Sequence, residues 1–461
     1  MKRFKLTATA IVLLLLPLTI FFASCKKEMA THTENGPVEL TTSSVKSSLN
    51  TLRHTKQYPS DVVNQWFTLL TDIVKTKPYF SPQALRIFAY SGITLYESVV
   101  PGMPSYQSMY KYLTGNTIAF DHHKEYYWPA CANAAIARIS SRIMQDYPAP
   151  SLSQVQALES LLNTSFQSEV TPQQLQLSNE FGRQVADIIY DWSKRDGTLN
   201  SDGSLASCPA YTPLGGAGSW APTPPAFLPA AGACQGSLKT FIPNIANTVL
   251  APPPPAYSID PASEFYQAAN EVYQSRNNSN TNETAQFNNW RDFTGNYHPL
   301  AHMLRITTSI ISKENLNLED AATIYAKQTM AAFDAIAAVF HSKFHYSLLR
   351  PVTYIRNEMG YSTWSSLPNT PQTPSYPDEL SATASSVAIL EKYLGTNYAF
   401  VDSTQKSQYG QWAYSSLNGL LSDVVQARVS GGTIFRFCGE AGIVQGRTVG
   451  EMINKLPFKK L

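Results

Sequence analysis

No histidine follows His345 in this 461-residue chain. Chemistry placed beyond that point must work without an imidazole as nucleophile, acid or base. Charge is also scarce, with 15% charged residues and a formal net charge of +2. That balance indicates neither a nucleic-acid partner nor attraction to an acidic lipid surface. Beyond the N-terminal apolar run, no stretch approaches membrane-spanning length, which argues against a protein of several spans. A phosphate-cradling glycine loop, a dinucleotide fingerprint and a Gly-x-Ser-x-Gly elbow are all missing, and no period-2 array of strands interrupts the pattern.

What is present begins at the N-terminus. Lys2 and Arg3 precede an apolar run from about Ile11 to Phe22, and Phe22-Ala23-Ser24-Cys25 closes it. That order is a bacterial secretory signal ending in a lipobox, so residues 1–24 are expected to be removed and Cys25 to carry a lipid that anchors the chain to the membrane. Lys26 follows the cysteine instead of the aspartate that retains lipoproteins at the inner membrane, so the outer membrane is the expected location. Residues 25–57 are rich in Thr, Ser, Lys and Asn and read as a solvated tether. The folded part is expected over 58–461, large enough for a sizeable core.

Apolar residues recur at helical spacing over 61–75, 82–99, 126–144, 152–166, 173–192, 261–274, 316–343, 379–394, 410–428 and 440–456, which predicts an all-α protein. Asn317 with Glu319 and Asp320 marks the start of the best-formed helix. Residues 193–261 form a long Pro/Gly/Ser-rich loop, read as a strap over the bundle or a lid. Two of the five cysteines, Cys208 and Cys234, sit in that loop, and in an oxidising compartment a bridge between them is expected. Cys438 reads as a buried filler.

The best-formed helix leads to Lys343-Phe-His-Tyr-Ser-Leu-Leu-Arg350-Pro351. Seven residues is about two helical turns, so both cations can face one oxyanion, although an isolated pair of this kind is as easily two surface side chains. The longer string from Asp334 to Arg356 resembles the first signature of the vanadium-dependent haloperoxidases and type 2 phosphatidic acid phosphatases. The resemblance implies a haloperoxidase/acid-phosphatase-like helical bundle and one pocket built from three blocks. The second block is similar to Thr373-Pro374-Ser375-Tyr376-Pro377-Asp378-Glu379-Leu380, where Asp378-Glu379-Leu380 replaces Ser-Gly-His. The third resembles Arg428 through Cys438, with Arg428 on the family's arginine, Ile434 on its essential histidine and Cys438 on its aspartate. Because no histidine follows His345, no register shift restores either imidazole.

In the family one histidine bonds vanadate or the phosphoryl group and the other serves as acid/base, so their absence implies impaired catalysis. Lys343, Arg350 and Arg428 remain as an oxyanion-binding set. Asp378 and Glu379 have two readings: ordinary carboxylates in a first helical turn, or carboxylates that reach into the pocket and pair with its cations. His298 and His302, at i and i+4, could seed a metal site, but no acidic ligand stands at metal spacing nearby, and no metal is expected there or at His122-His123.

The expected function is a haloperoxidase-related exported lipoprotein, catalytically impaired, with a basic pocket that holds vanadate, phosphate or another small oxyanion only if open, and no other cofactor. Two alternatives stand beside it. One is an active phosphatase or haloperoxidase-like enzyme with Asp378 or Glu379 as substitute catalytic residues. The other is a binding or scaffold lipoprotein that uses the long loop, its protein partner not given by the sequence.

Overall fold

The computed structural model describes residues 53–76, 82–145, 147–367 and 370–460. The expected signal, Cys25 and nearly all of the tether lie outside them. The first half contains α1 (Asp61–Lys75), α2 (Pro82–Val99), α3 (Met109–Thr114), α4 (Trp128–Ile143), α5 (Ala149–Phe166) and α6 (Pro172–Ser193). After the strap, which contains only the short α7 (Ile245–Thr248) and a 3-10 turn, come α8 (Glu264–Asn277), α9 (Thr281–Trp290), α10 (Pro299–Lys313) and α11 (Leu318–Tyr346). The chain closes with α12 (Pro351–Asn357), α13 (Leu380–Leu394), α14 (Lys406–Tyr409), α15 (Leu417–Ser430) and α16 (Arg436–Asn454). The fold is all-α. Among the described residues no helix is long and apolar enough to cross a membrane.

Helix α11 is the axis. Asn317 caps it, its side chain accepting from the Asp320 amide at 3.0 Å, and Glu319 and Asp320 complement the dipole in the first turn. Every residue from 321 to 340 is buried, so over this stretch the helix has no solvent face and packs on α2, α13 and α16. A run so rich in alanine keeps its partners close on all sides.

Helices α13 and α16 approach so closely that side chains are excluded from the seam. A Cβ on Gly442 would lie 2.4 Å from the Asp378 carbonyl oxygen, and one on Gly446 would lie 2.0 Å from that of Ser381. Both distances are far inside van der Waals contact, and the glycines thereby set where the start of α13 stands.

The strap is tied down along its length. The buried carboxylate of Asp334 accepts from the Phe241 and Ile242 amides, each at 2.8 Å. The hydroxyls of Tyr346, Tyr376 and Tyr354 donate to the carbonyls of Ala251, Pro252 and Ser258 at 2.5, 2.5 and 2.6 Å. Cys208 and Cys234 are joined by a disulfide.

Three local departures from the periodicity stand out. In a two-stranded antiparallel sheet β1 (Phe400–Asp402) pairs with β2 (Trp412–Tyr414), β2 occupies part of the 410–428 stretch read as helix, and α15 begins only at Leu417. Ser416 accounts for that start, its hydroxyl accepting from the Gly419 amide. Lys343 and Arg350 do not share a helix. Helix α11 stops at Tyr346, Ser347 takes a left-handed conformation with φ 46°, and Arg350 is the N-cap of α12 with Pro351 at its first position. Asp378 and Glu379 stand before the first turn of α13 rather than in it, because the helix starts at Leu380.

Candidate functional site: a cation cluster closed by carboxylates

The turn at Ser347 reverses the chain and brings Arg350 back toward the last turns of α11. Lys343 and Arg350 are both fully buried. The Lys343 ammonium donates to the Pro374 carbonyl at 2.7 Å and lies 3.3 Å from Glu379 Oε1. The Arg350 guanidinium is held by neutral acceptors. It donates to the Thr373 carbonyl at 2.8 Å, the Thr373 hydroxyl at 2.7 Å and the Thr433 carbonyl at 3.0 Å. Thr373 in turn donates from its hydroxyl to Glu379 Oε1 at 3.2 Å, which links Arg350 to the Lys343 pair.

Arg428, near the end of α15, donates to Asp378 Oδ1. The same oxygen accepts from the Leu380 amide at 2.9 Å, and the Asp378 amide donates to the Cys438 carbonyl at 2.9 Å. Lys343, Arg350, Arg428, Asp378 and Glu379 thus form one ionic cluster from three chain segments: three cations against two carboxylates.

Burial pulls the Lys343 ammonium and the Arg350 guanidinium below their ordinary pKa values, and Glu379 offsets this only in part. Burial pushes the Glu379 carboxyl up, but the charges of Lys343, Arg350 and Arg428 outweigh it and hold the group at about 2. Glu379 is therefore ionised throughout the physiological range. The cluster is open on one side, with the Glu379 side chain 25% and the Arg428 side chain 14% exposed, while Lys343 and Asp378 are sealed.

The residues at the family's remaining positions do not fit a vanadate or phosphoryl group carried by an imidazole. Ile434 is a buried hydrocarbon, and a Cβ on Gly439 of α16 would lie 3.2 Å from its Cδ1. Cys438 is buried with its Sγ 3.5 Å from Ser375 Oγ, and burial pushes its thiol up to about 12, so it is no thiolate nucleophile. The carboxylate of Glu379, already beside the lysine, adds negative charge where a tetrahedral anion would need donors.

The histidines weighed as metal ligands, His298 with His302 and His122 with His123, stand apart from the cluster. His298 caps α10 through Nδ1, which accepts from the Leu300 amide at 3.1 Å, and burial followed by the charge of His302 pushes it down to about 3. His302 stacks on Trp290 with ring centroids 4.1 Å apart, and its Nε2 meets Asp402 Oδ2 at 2.8 Å and Thr404 Oγ1 at 2.5 Å. Burial raises and His302 lowers the Asp402 carboxyl, which settles at about 2. His122 and His123 lie on an exposed turn. Among the described residues no group of three or more His, Cys, Asp and Glu side chains is arranged to hold a metal.

Sequence reasoning missed Thr373, the link between Arg350 and Glu379, although it stands in the same proline-rich block. Asp402 and Thr404 carry no motif, and only β1 brings them to His302.

The family model for the VCPO second helical-bundle domain matches residues 323–457, which include the whole cluster. Among solved structures, the first bacterial vanadium-dependent iodoperoxidase is similar over 87% of this chain and 97% of its own, with 26% identity and a TM-score of 0.77. A bacterial vanadium-dependent chloroperoxidase in its holo form shares the fold at 14% identity, covering 80% of this chain and 90% of its own, with a TM-score of 0.64. No curated protein matches the chain by sequence. The family model and the structural likeness together support the vanadium haloperoxidase/type 2 phosphatidic acid phosphatase-like superfamily for this chain.

Proposed function

We propose that this protein is a non-catalytic member of its superfamily, exported and anchored through a lipid on Cys25 to the outer membrane, with its own Glu379 carboxylate in the place of the oxyanion. The observation that carries the reading is the pair between Lys343 and Glu379 at 3.3 Å, because a pocket kept for a free anion has no reason to hold an ionised carboxylate against its lysine. The buried hydrocarbon at Ile434 supports it from the other side, since no residue there can form the covalent bond or relay a proton. Asp378 and Glu379 are poor substitutes for the lost histidines. Each is committed to a cation, and Glu379, held at about 2, is a weak base and a weak nucleophile at neutral pH.

The test is turnover. The full chain in detergent, with and without vanadate, is assayed with peroxide plus iodide, bromide or chloride, and separately with an aryl phosphate. The expected result is no rate above that of Lys343→Ala under the same conditions. Turnover that Lys343→Ala abolishes would overturn the proposal. The anchoring is checked by mass spectrometry of the mature N-terminus. Acylated Cys25 is expected, and an intact Met1 contradicts it.

A further inference from the structure

An i, i+4 histidine spacing occurs twice in the chain, and the two pairs have opposite environments. His298 and His302 are buried and engaged, one as a helix cap and the other with Asp402 and Thr404. His341 and His345 stand in the last turns of α11, where the axial helix finally reaches solvent. His341 is half-buried and His345 exposed. Among the described residues neither ring has a hydrogen-bond or ion-pair partner, and the one ring contact is edge-on between His345 and Tyr346 at 4.7 Å.

On a continuous helix, side chains four apart share a face with Cβ atoms about 5–6 Å apart, a span over which two imidazoles can bind one ion. Two further features favour a cation here. The pair lies at the C-terminal end of a 29-residue helix, where the macrodipole is negative. The backbone beneath His341 is also fixed from outside by the strap. A Cβ on Gly236 would come within 2.7 Å of the His341 Cα, and Gly236 follows closely on the disulfide at Cys234.

We propose that His341 and His345 form a two-imidazole site on the outer face of α11 for a borderline divalent transition-metal ion, copper(II) ahead of zinc(II) and nickel(II). Imidazole selects these ions over magnesium or calcium, and copper leads the series for nitrogen ligands. The protein supplies two nitrogens, so the remaining positions fall to water and the bound metal exchanges readily. The ion would clamp the turns of α11 that deliver Lys343, on the face opposite the buried ammonium.

The test is titration of the untagged full chain in detergent with copper(II) alone, magnesium serving as the hard-ion control, read by calorimetry and by nitrogen hyperfine splitting in the electron paramagnetic resonance spectrum. One copper per chain with two coordinated nitrogens is expected. His341→Asn and His345→Asn should each weaken binding by about tenfold or more, while a His122→Asn/His123→Asn double variant should bind as the parent does. Copper binding that survives either single substitution unchanged, or that disappears with His122 and His123, would overturn the proposal.

Discussion

In the His302–Asp402 pair both side chains have lost contact with solvent, whereas the Lys343–Glu379 pair keeps its carboxylate a quarter exposed. Both hold a carboxylate at about 2, burial being outweighed by His302 in one and by Lys343, Arg350 and Arg428 in the other. They differ in what surrounds the charge. His302 has an aromatic wall on Trp290, and its Nε2 meets one hydroxyl and one carboxylate, while its buried Nδ1 has no hydrogen-bond partner among the described residues. The Lys343 cluster has three cations, two carboxylates and an open edge at Glu379 and Arg428. A sealed, balanced pair is what a core retains for structure. An unbalanced cluster with one open side is what the proposed filling of a binding site from within would leave.

The largest effect that tests this contrast comes from the sealed pair. His302→Ala leaves the Asp402 carboxylate buried without its partner and is expected to cost about 3–5 kcal/mol in urea unfolding. A loss under about 1 kcal/mol would erase the distinction. Glu379→Ala comes next, at about 2–3 kcal/mol, because it leaves Lys343 without its anion while water can reach the space vacated. Lys343→Met keeps the apolar stem and leaves Glu379 to Arg350, Arg428 and solvent, so about 1 kcal/mol is expected.

The smallest effect is in pH and salt. Both carboxylates have folded-state pKa values below their unfolded ones, so their stabilisation is fully present above about pH 4–5 and is lost as pH falls toward about 2. Glu379→Gln and Asp402→Asn should each flatten that acid slope. Molar salt should weaken the Glu379 contribution and spare that of Asp402, since screening acts on the exposed partner. Equal salt sensitivity would remove the difference between the two sites.

Much of the bundle could be read from the chain because its helices announce themselves by period and cap. Asn317 with Glu319 and Asp320 marks α11, and the apolar spacing of 61–75 and 82–99 coincides with α1 and α2. The site was legible as a set of residue types but not as a geometry. Lys343 and Arg350 meet because Ser347 turns the chain, an effect of one backbone angle that helical spacing does not encode. The position of Asp378 depends on Gly442 in a helix 64 residues on, a packing relation without a local signal. The β1–β2 hairpin escaped notice because three-residue strands are too short to establish a period of two.

Thermal unfolding of the full chain in detergent, with and without millimolar phosphate or vanadate, compared between the parent and Glu379→Ala, tests the central claim most directly. If Glu379 fills the oxyanion's place, anions leave the parent's melting temperature unchanged and raise that of Glu379→Ala, since a ligand that binds only the folded state stabilises it. A parent that is itself stabilised by these anions, through a shift that Lys343→Met or Arg428→Ala removes, would contradict the account.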